Sequence, residues 1–95
     1  MPLEGRRGQD RPLIDYPTAY TFKVMGRQEH GFREYVQRLF RDLTGTEVAP
    51  DSLRELPSSG GKYVSVSVSV HLLSEEQRRS IYLALHRDKR ILYYL

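Results

Sequence analysis

No cysteine occurs in the 95 residues, which excludes a disulfide framework and any thiolate-ligated metal site. Nothing in the chain therefore asks for an oxidising compartment, and a reducing cytoplasm is the expected setting. Long apolar runs are missing too. None approaches the ~20 residues that a membrane helix needs, and residues 1–12 are polar where an export signal would be apolar. The chain is expected neither to enter a membrane nor to be exported. Charge of one sign is not concentrated either: the formal balance of +3 is spread so thinly that no segment forms a basic arm. Arg87, Lys89 and Arg90 make the densest cluster. It falls at a predicted helix end, where solvated cations complement the negative pole of the helix dipole.

What is present describes a folded domain. Hydrophobic residues make up 39% and charged residues 28% of the chain, too apolar a mixture for disorder. Residues 1–12 lack periodic apolar positions and are expected to form a flexible tail, with a single domain over 13–95. Tyr20, Phe22 and Val24 alternate with Thr21, Lys23 and Met25, the period of two that marks a strand, and Gly26 closes it. Over 30–43 the residues Phe32, Tyr35, Val36, Leu39, Phe40 and Leu43 fall on one helical face, with Glu34 placed to pair with Arg38 and Gly45 as the stop. A weaker extended stretch covers 52–57, anchored by Leu53 and Leu56.

After the turn cluster 57–62 comes the clearest pattern: Val64, Val66, Val68 and Val70 alternate with Ser65, Ser67, Ser69 and His71. Each fully buried valine contributes roughly 1.5–3 kcal/mol, so a one-residue slip would forfeit an amount on the order of the domain's stability. A strand dry on one face and wet on the other belongs to an antiparallel sheet with helices on one side. Ser74-Glu75-Glu76-Gln77 reads as a capping box opening a second helix, which runs to about Arg87 with Ile81, Tyr82, Ala84 and Leu85 inward. Residues 91–95 close the chain as a strand. The fold expected is α+β, a ferredoxin-like βαββαβ arrangement with a four-stranded antiparallel sheet and both helices on one face.

Three stretches resemble the YbeD-like family, small bacterial proteins of unknown function. The first is Asp15-Tyr16-Pro17-Thr18 running into Phe22-Lys23-Val24-Met25-Gly26. The second is Pro57-Ser58-Ser59 through Tyr63, Ser65, Val66 and Ser67, and the third is Ile81-Tyr82 with the closing apolar strand. Family members often read Lys-Gly-Asn after Pro-Ser-Ser, whereas Gly60-Gly61-Lys62 here puts the charge two places later. The resemblance implies an ACT-like ferredoxin fold, a plan used by small regulatory domains that bind metabolites, often at dimer interfaces. It supplies no reaction. Family members are also associated by genetic context with lipoate attachment, which implies a link with lipoate metabolism.

Two other functions use this fold. Acylphosphatases cradle phosphate in a loop that Gly26 to Arg33 resembles, but they orient water with an asparagine, and this chain has none. Single-stranded nucleic-acid-binding domains of the RNA-recognition type stack bases on aromatics of the open face. With the valines turned to the helices, that face shows Tyr63, Ser65, Ser67, Ser69 and His71 beside Thr21, Lys23 and Met25, leaving Tyr63 the one exposed aromatic on these two strands. Nucleic acid is accordingly an unfavoured partner. His30, His71 and His86 have no ligand-like spacing, and the serines have no neighbouring His and Asp, so neither a metal, a cofactor nor a catalytic set is expected.

The expected function is that of a cytoplasmic regulatory or binding module, not an enzyme, acting through a small metabolite or a partner protein. A homodimer through the serine-lined face is compatible with the same pattern. The expected ligand-binding residues are Lys23, Met25, Gly26 and Arg27 at the end of the first strand, with Ser58, Ser59, Gly61, Lys62 and Tyr63 of the hairpin, where backbone amides at the following helix start could hold an anion.

Overall fold

The computed structural model describes residues 14–95; the tail expected over 1–12 and the first residue of the expected domain lie outside them. In chain order the elements are β1 (Thr18–Arg27), α1 (Phe32–Thr44), a 3-10 turn (Pro50–Ser52), β2 (Leu53–Pro57), β3 (Tyr63–Leu72), α2 (Glu75–Arg87) and β4 (Tyr93–Tyr94). The sheet order is β2-β3-β1-β4, and every neighbouring pair is antiparallel. This is the ferredoxin-like arrangement that the pattern of strands and helices predicts.

β1 and β3 form the centre. Their register runs unbroken from Thr18 opposite Leu72 to Arg27 opposite Tyr63. Phe22 therefore faces Val68 and Val24 faces Val66 on one side, while Thr21 meets Ser69, Lys23 meets Ser67 and Met25 meets Ser65 on the other. The first side is the core: Val64, Val66 and Val68 are buried with Phe32, Val36 and Phe40 of α1 and with Ile81 and Leu85 of α2. Because all five helical residues join the same cluster as the valines, both helices lie on that side of the sheet, and among the described residues no helix lies on the serine side.

The helix ends follow local chemistry. α1 stops where Gly45 takes a left-handed conformation at φ 73° and its N–H bonds the Arg41 carbonyl at 2.8 Å, as a glycine stop requires. α2 starts at Ser74, whose Oγ accepts from the Gln77 N–H at 3.1 Å. The reciprocal bond of the expected capping box is displaced by one residue, since Gln77 Oε1 accepts from the Leu73 N–H at 2.8 Å.

Three further expectations are corrected. The closing strand is shorter than 91–95: Ile91 turns into the core at 7% exposure, and the ladder to β1 begins only after the Asp88 turn. β2 loses residue 52 to the 3-10 turn, because Pro50 fixes the backbone that opens it. Among the described residues Glu34 and Arg38 make no ion pair. Both are exposed, where such a pair gains too little to hold two long side chains.

Candidate functional site

The bare face is defined by register. Leu56 pairs with Ser65, Ser65 with Met25, and Met25 with Tyr93, so these four residues make one row across all four strands. The row beside it is Arg54, Ser67 and Lys23, with Leu95 next, its backbone N–H and C=O bonded to Lys23. On the other flank Tyr63 stands opposite Arg27. Leu56, Tyr93 and Leu95 are 63%, 57% and 58% exposed. Ser65 is buried beneath this layer, with its Oγ directed at the Leu56 carbonyl at 3.4 Å.

The strand positions of the face carry cations, and Asp51 of the 3-10 turn lies at its edge, lining a depression with Arg54 and Ser67. Lys23, Arg27 and Arg54 are exposed on it, and among the described residues none of them pairs with a carboxylate. Among the described residues no acidic side chain occupies a strand position there; Glu55 pairs with Val66 and so belongs to the helix side. Further along, Thr21 and Ser69 share a hydroxyl bond at 3.1 Å. Beyond them two adjoining depressions of about 320 and 360 Å³ meet at Ser52 and Ser69, the first reaching His71 and Val48, the second reaching Asp51 and Arg54.

The residues singled out from sequence separate into three groups. Lys23, Met25, Arg27 and Tyr63 come together on the bare face, with Lys62 beside them through the bond from the Gln28 N–H to its carbonyl at 2.8 Å. Ser58 and Gly61 hold the hairpin: the Ser58 carbonyl accepts from Gly61, its Oγ accepts from the Tyr63 N–H, and Gly61 sits at φ 74°. Ser59 is exposed on the same hairpin. Gly26 lies on the opposite side of the sheet, where a Cβ would stand 2.5 Å from the Phe32 ring and 2.8 Å from the Arg90 carbonyl oxygen. Leu56 is expected from sequence as an anchor of its strand, and Tyr93 and Leu95 as part of the closing strand; the structure instead leaves all three exposed on the bare face. The signal was available: Leu56 is an odd number of residues from inward-facing Leu53, so it must face the other way.

The loop resembling a phosphate cradle is otherwise engaged. Arg33 donates to the Pro50 carbonyl at 2.9 Å, holding the segment between α1 and β2. Arg90, expected to be a solvated helix end, stacks on Tyr35 at 4.2 Å from the ring centre and approaches Glu29 at 3.5 Å. The Tyr35 hydroxyl donates to Asp88, and that bond raises its pKa. α1 is thereby tied to the turn before β4.

A second clamp joins the start of β1 to α2. The Tyr16 hydroxyl donates to Glu75 at 2.6 Å, and Arg78 reaches the same carboxylate at 3.0 and 2.8 Å. Arg78 also lies over the rings of Tyr20 and Tyr82, whose hydroxyls are 3.0 Å apart. The bonds from Arg78 and then Tyr16 hold the Glu75 carboxyl at about 2, while burial first and the Tyr20 bond second push Tyr82 up to about 12. A carboxyl lowered in the folded state contributes stability above its ordinary range near 4.5 and loses it as pH falls toward 2. Thermal unfolding of wild type and Glu75→Gln across that range is the check. Wild type should lose stability on acidification, and the variant, weaker at neutral pH, should respond less steeply.

No group of three His, Asp or Glu residues is placed to hold a metal ion among the described residues, and none of their helices is long and apolar enough to cross a membrane. A family model described as a protein of unknown function (DUF493) matches residues 11–95. The chain belongs to the DUF493 family. This is the YbeD-like group of small bacterial proteins that the strand and hairpin motifs resemble. DUF493 relatives carry the name UPF0250 protein: one from Leptothrix cholodnii is 32% identical over 77 residues, and one from Bordetella parapertussis is 37% identical over 79. Each match covers 81% of this chain and 84% of the relative. The DUF493 chain is also similar to the solution structure of protein HP0495 from H. pylori, with a TM-score of 0.70 at 19% identity over 90% of this chain and 88% of that one. This last likeness shows the fold.

Proposed function

We propose that the protein is a non-catalytic binding module of the cytoplasm that works through the bare face of its sheet. The observation that carries this reading is the row Leu56, Met25 and Tyr93, apolar side chains on a surface that no helix covers among the described residues. Exposed apolar side chains gathered in one place mark interaction surfaces, whereas scattered ones need no explanation. The serines of β3 support the same reading. Ser69 is bonded to Thr21 and Ser65 is directed at a backbone carbonyl, so neither has the adjacent base that an acyl-transfer nucleophile needs. A place in lipoate metabolism is the pathway that the family resemblance implies, and it fits a module that regulates by binding.

A photo-crosslinking side chain placed at Leu56 or Tyr93, in cells native to the protein, tests this. A matched probe at Leu83, 48% exposed on α2, serves as the control. Adducts are expected from positions 56 and 93 and not from 83; a protein partner appears as a gel shift and a metabolite as a small mass increment. Equal labelling from all three positions, or none from the face, overturns the proposal.

A further inference from the structure

We propose that the bare face receives an acidic amphipathic helix of a partner protein; this rests on the reading of that face as the binding surface and adds the chemistry of its occupant. The geometry sets the partner's form. Leu56, Ser65, Met25 and Tyr93 stand on four successive strands, and strands lie about 4.8 Å apart, so the row is about 14 Å long, the length of nearly three helical turns. A helix laid across the strands along this row presents apolar residues at the i, i+3, i+4, i+7 spacing.

Cations border the row on both sides. Arg54 and Lys23 occupy the adjoining row on one flank, and Arg27 stands on the other beside Tyr63. The matching surface is an apolar stripe edged by carboxylates on both borders. Opposite charges across an interface steer encounter and fix register, while like charges exclude wrong partners.

The same charges select against other occupants. Two copies of this chain face to face would bring Lys23, Arg27 and Arg54 onto a surface that, among the described residues, has no acidic side chain at a strand position to receive them and only Asp51 at its edge. Single-stranded nucleic acid would satisfy the cations, but it needs aromatic platforms on the central strands. Those strands offer Thr21, Lys23 and Met25 against Ser65, Ser67 and Ser69, and Tyr63 and Tyr93 are separated by β1. A basic helix would fill the row and meet repulsion on both borders.

Fluorescence anisotropy with the full chain tests the proposal. The probes are a dye-labelled synthetic helix of about five turns with a leucine stripe bordered by glutamates, the same helix bordered by lysines, and a single-stranded oligonucleotide. The glutamate helix should bind at least about tenfold more tightly than either other probe and weaken as salt rises. Lys23→Glu with Arg54→Glu should reduce its affinity about tenfold, because exposed charges are reversed at the contact. Arg38→Glu with Arg87→Glu, the same change in net charge placed on the helices, should leave it unaltered. Circular dichroism establishes that both double variants fold. Equal binding of the two helices, equal losses in the two double variants, or tighter binding of the oligonucleotide overturns the proposal. So does a concentration-dependent dimer in sedimentation that Lys23→Glu with Arg54→Glu abolishes. Crosslinks from position 56 into a basic or neutral segment would refute the acidic occupant while leaving the face as the binding surface. Absence of face-specific crosslinks would remove both.

Discussion

Phe22→Ala is expected to lower the free energy of unfolding by about 3–5 kcal/mol, the largest loss any single truncation in this domain should produce. Phe22 has no exposed surface and sits at the middle of β1, where its ring lies 4.8 Å from Tyr20, 5.4 Å from Phe40 and 5.0 Å from Tyr82. The cavity would open between the sheet and both helices at once, and three neighbouring rings would each lose a partner. A domain of this size is stable by only about 5–15 kcal/mol. Since 1 kcal/mol moves the midpoint of a small domain by about 4–8 °C, the variant should melt at least about 12 °C lower or be partly unfolded at 37 °C. Thr21→Ala, one residue away on the bare face, loses only an exposed hydroxyl bond to Ser69 and should cost no more than about 1 kcal/mol. Urea titration of the two variants measures the contrast, and similar losses would mean that β1 does not present alternate faces to core and solvent.

The second large effect concerns space. Gly26→Ala is expected to cost about 1–3 kcal/mol, although alanine is usually tolerated in a strand. An added Cβ would lie 2.5 Å from two ring atoms of Phe32 and 2.8 Å from the carbonyl oxygen of Arg90. The ring is 2% exposed and packed in the core cluster, and a backbone oxygen cannot rotate away without moving the turn before β4. Gly60→Ala supplies the comparison, since nothing lies within 4 Å of a Cβ there and its effect should stay below about 0.5 kcal/mol. Adding Phe32→Leu should recover part of the loss in the Gly26→Ala background, the coupling expected of two residues in contact. Calorimetry on the single and double variants reads it. Equal stabilities for Gly26→Ala and Gly60→Ala would show that β1 and the β4 turn do not approach so closely.

Local features of the fold were legible because they are local. Four valines alternating with three serines and a histidine set the two sides of β3, and Ser74 and Gly45 mark helix ends through bonds within a few residues. Long-range side-chain pairing was not legible. Arg90 reads as one more cation after a helix, yet it stacks on Tyr35, far away in the chain, and nothing in either segment announces the other. The same holds for Tyr16 and Glu75, 59 residues apart. β4 misled because composition makes 91–95 equally apolar throughout, while the turn at Asp88 sends Ile91 into the core and leaves Tyr93 and Leu95 outside. Of the candidate site, the shared face of Lys23, Met25 and Tyr63 followed from strand parity, whereas Arg27 and Gly26, expected together from their place at the strand end, face opposite sides. The part contributed by β2 and β4 required the sheet order, which periodicity within one strand does not contain.

The parity of β1 and β3 also divides what mutation can change. Even-numbered positions such as Phe22, Val24, Val66 and Val68 maintain the packing and tolerate little, whereas odd-numbered ones, Ser65 excepted, carry no share of the core. Substitutions at positions 23, 25, 27, 54, 56 and 93 can therefore change the chemistry of the bare face without repacking the interior. Surface chemistry and folding are thus written in separate, interleaved alphabets along the same strands.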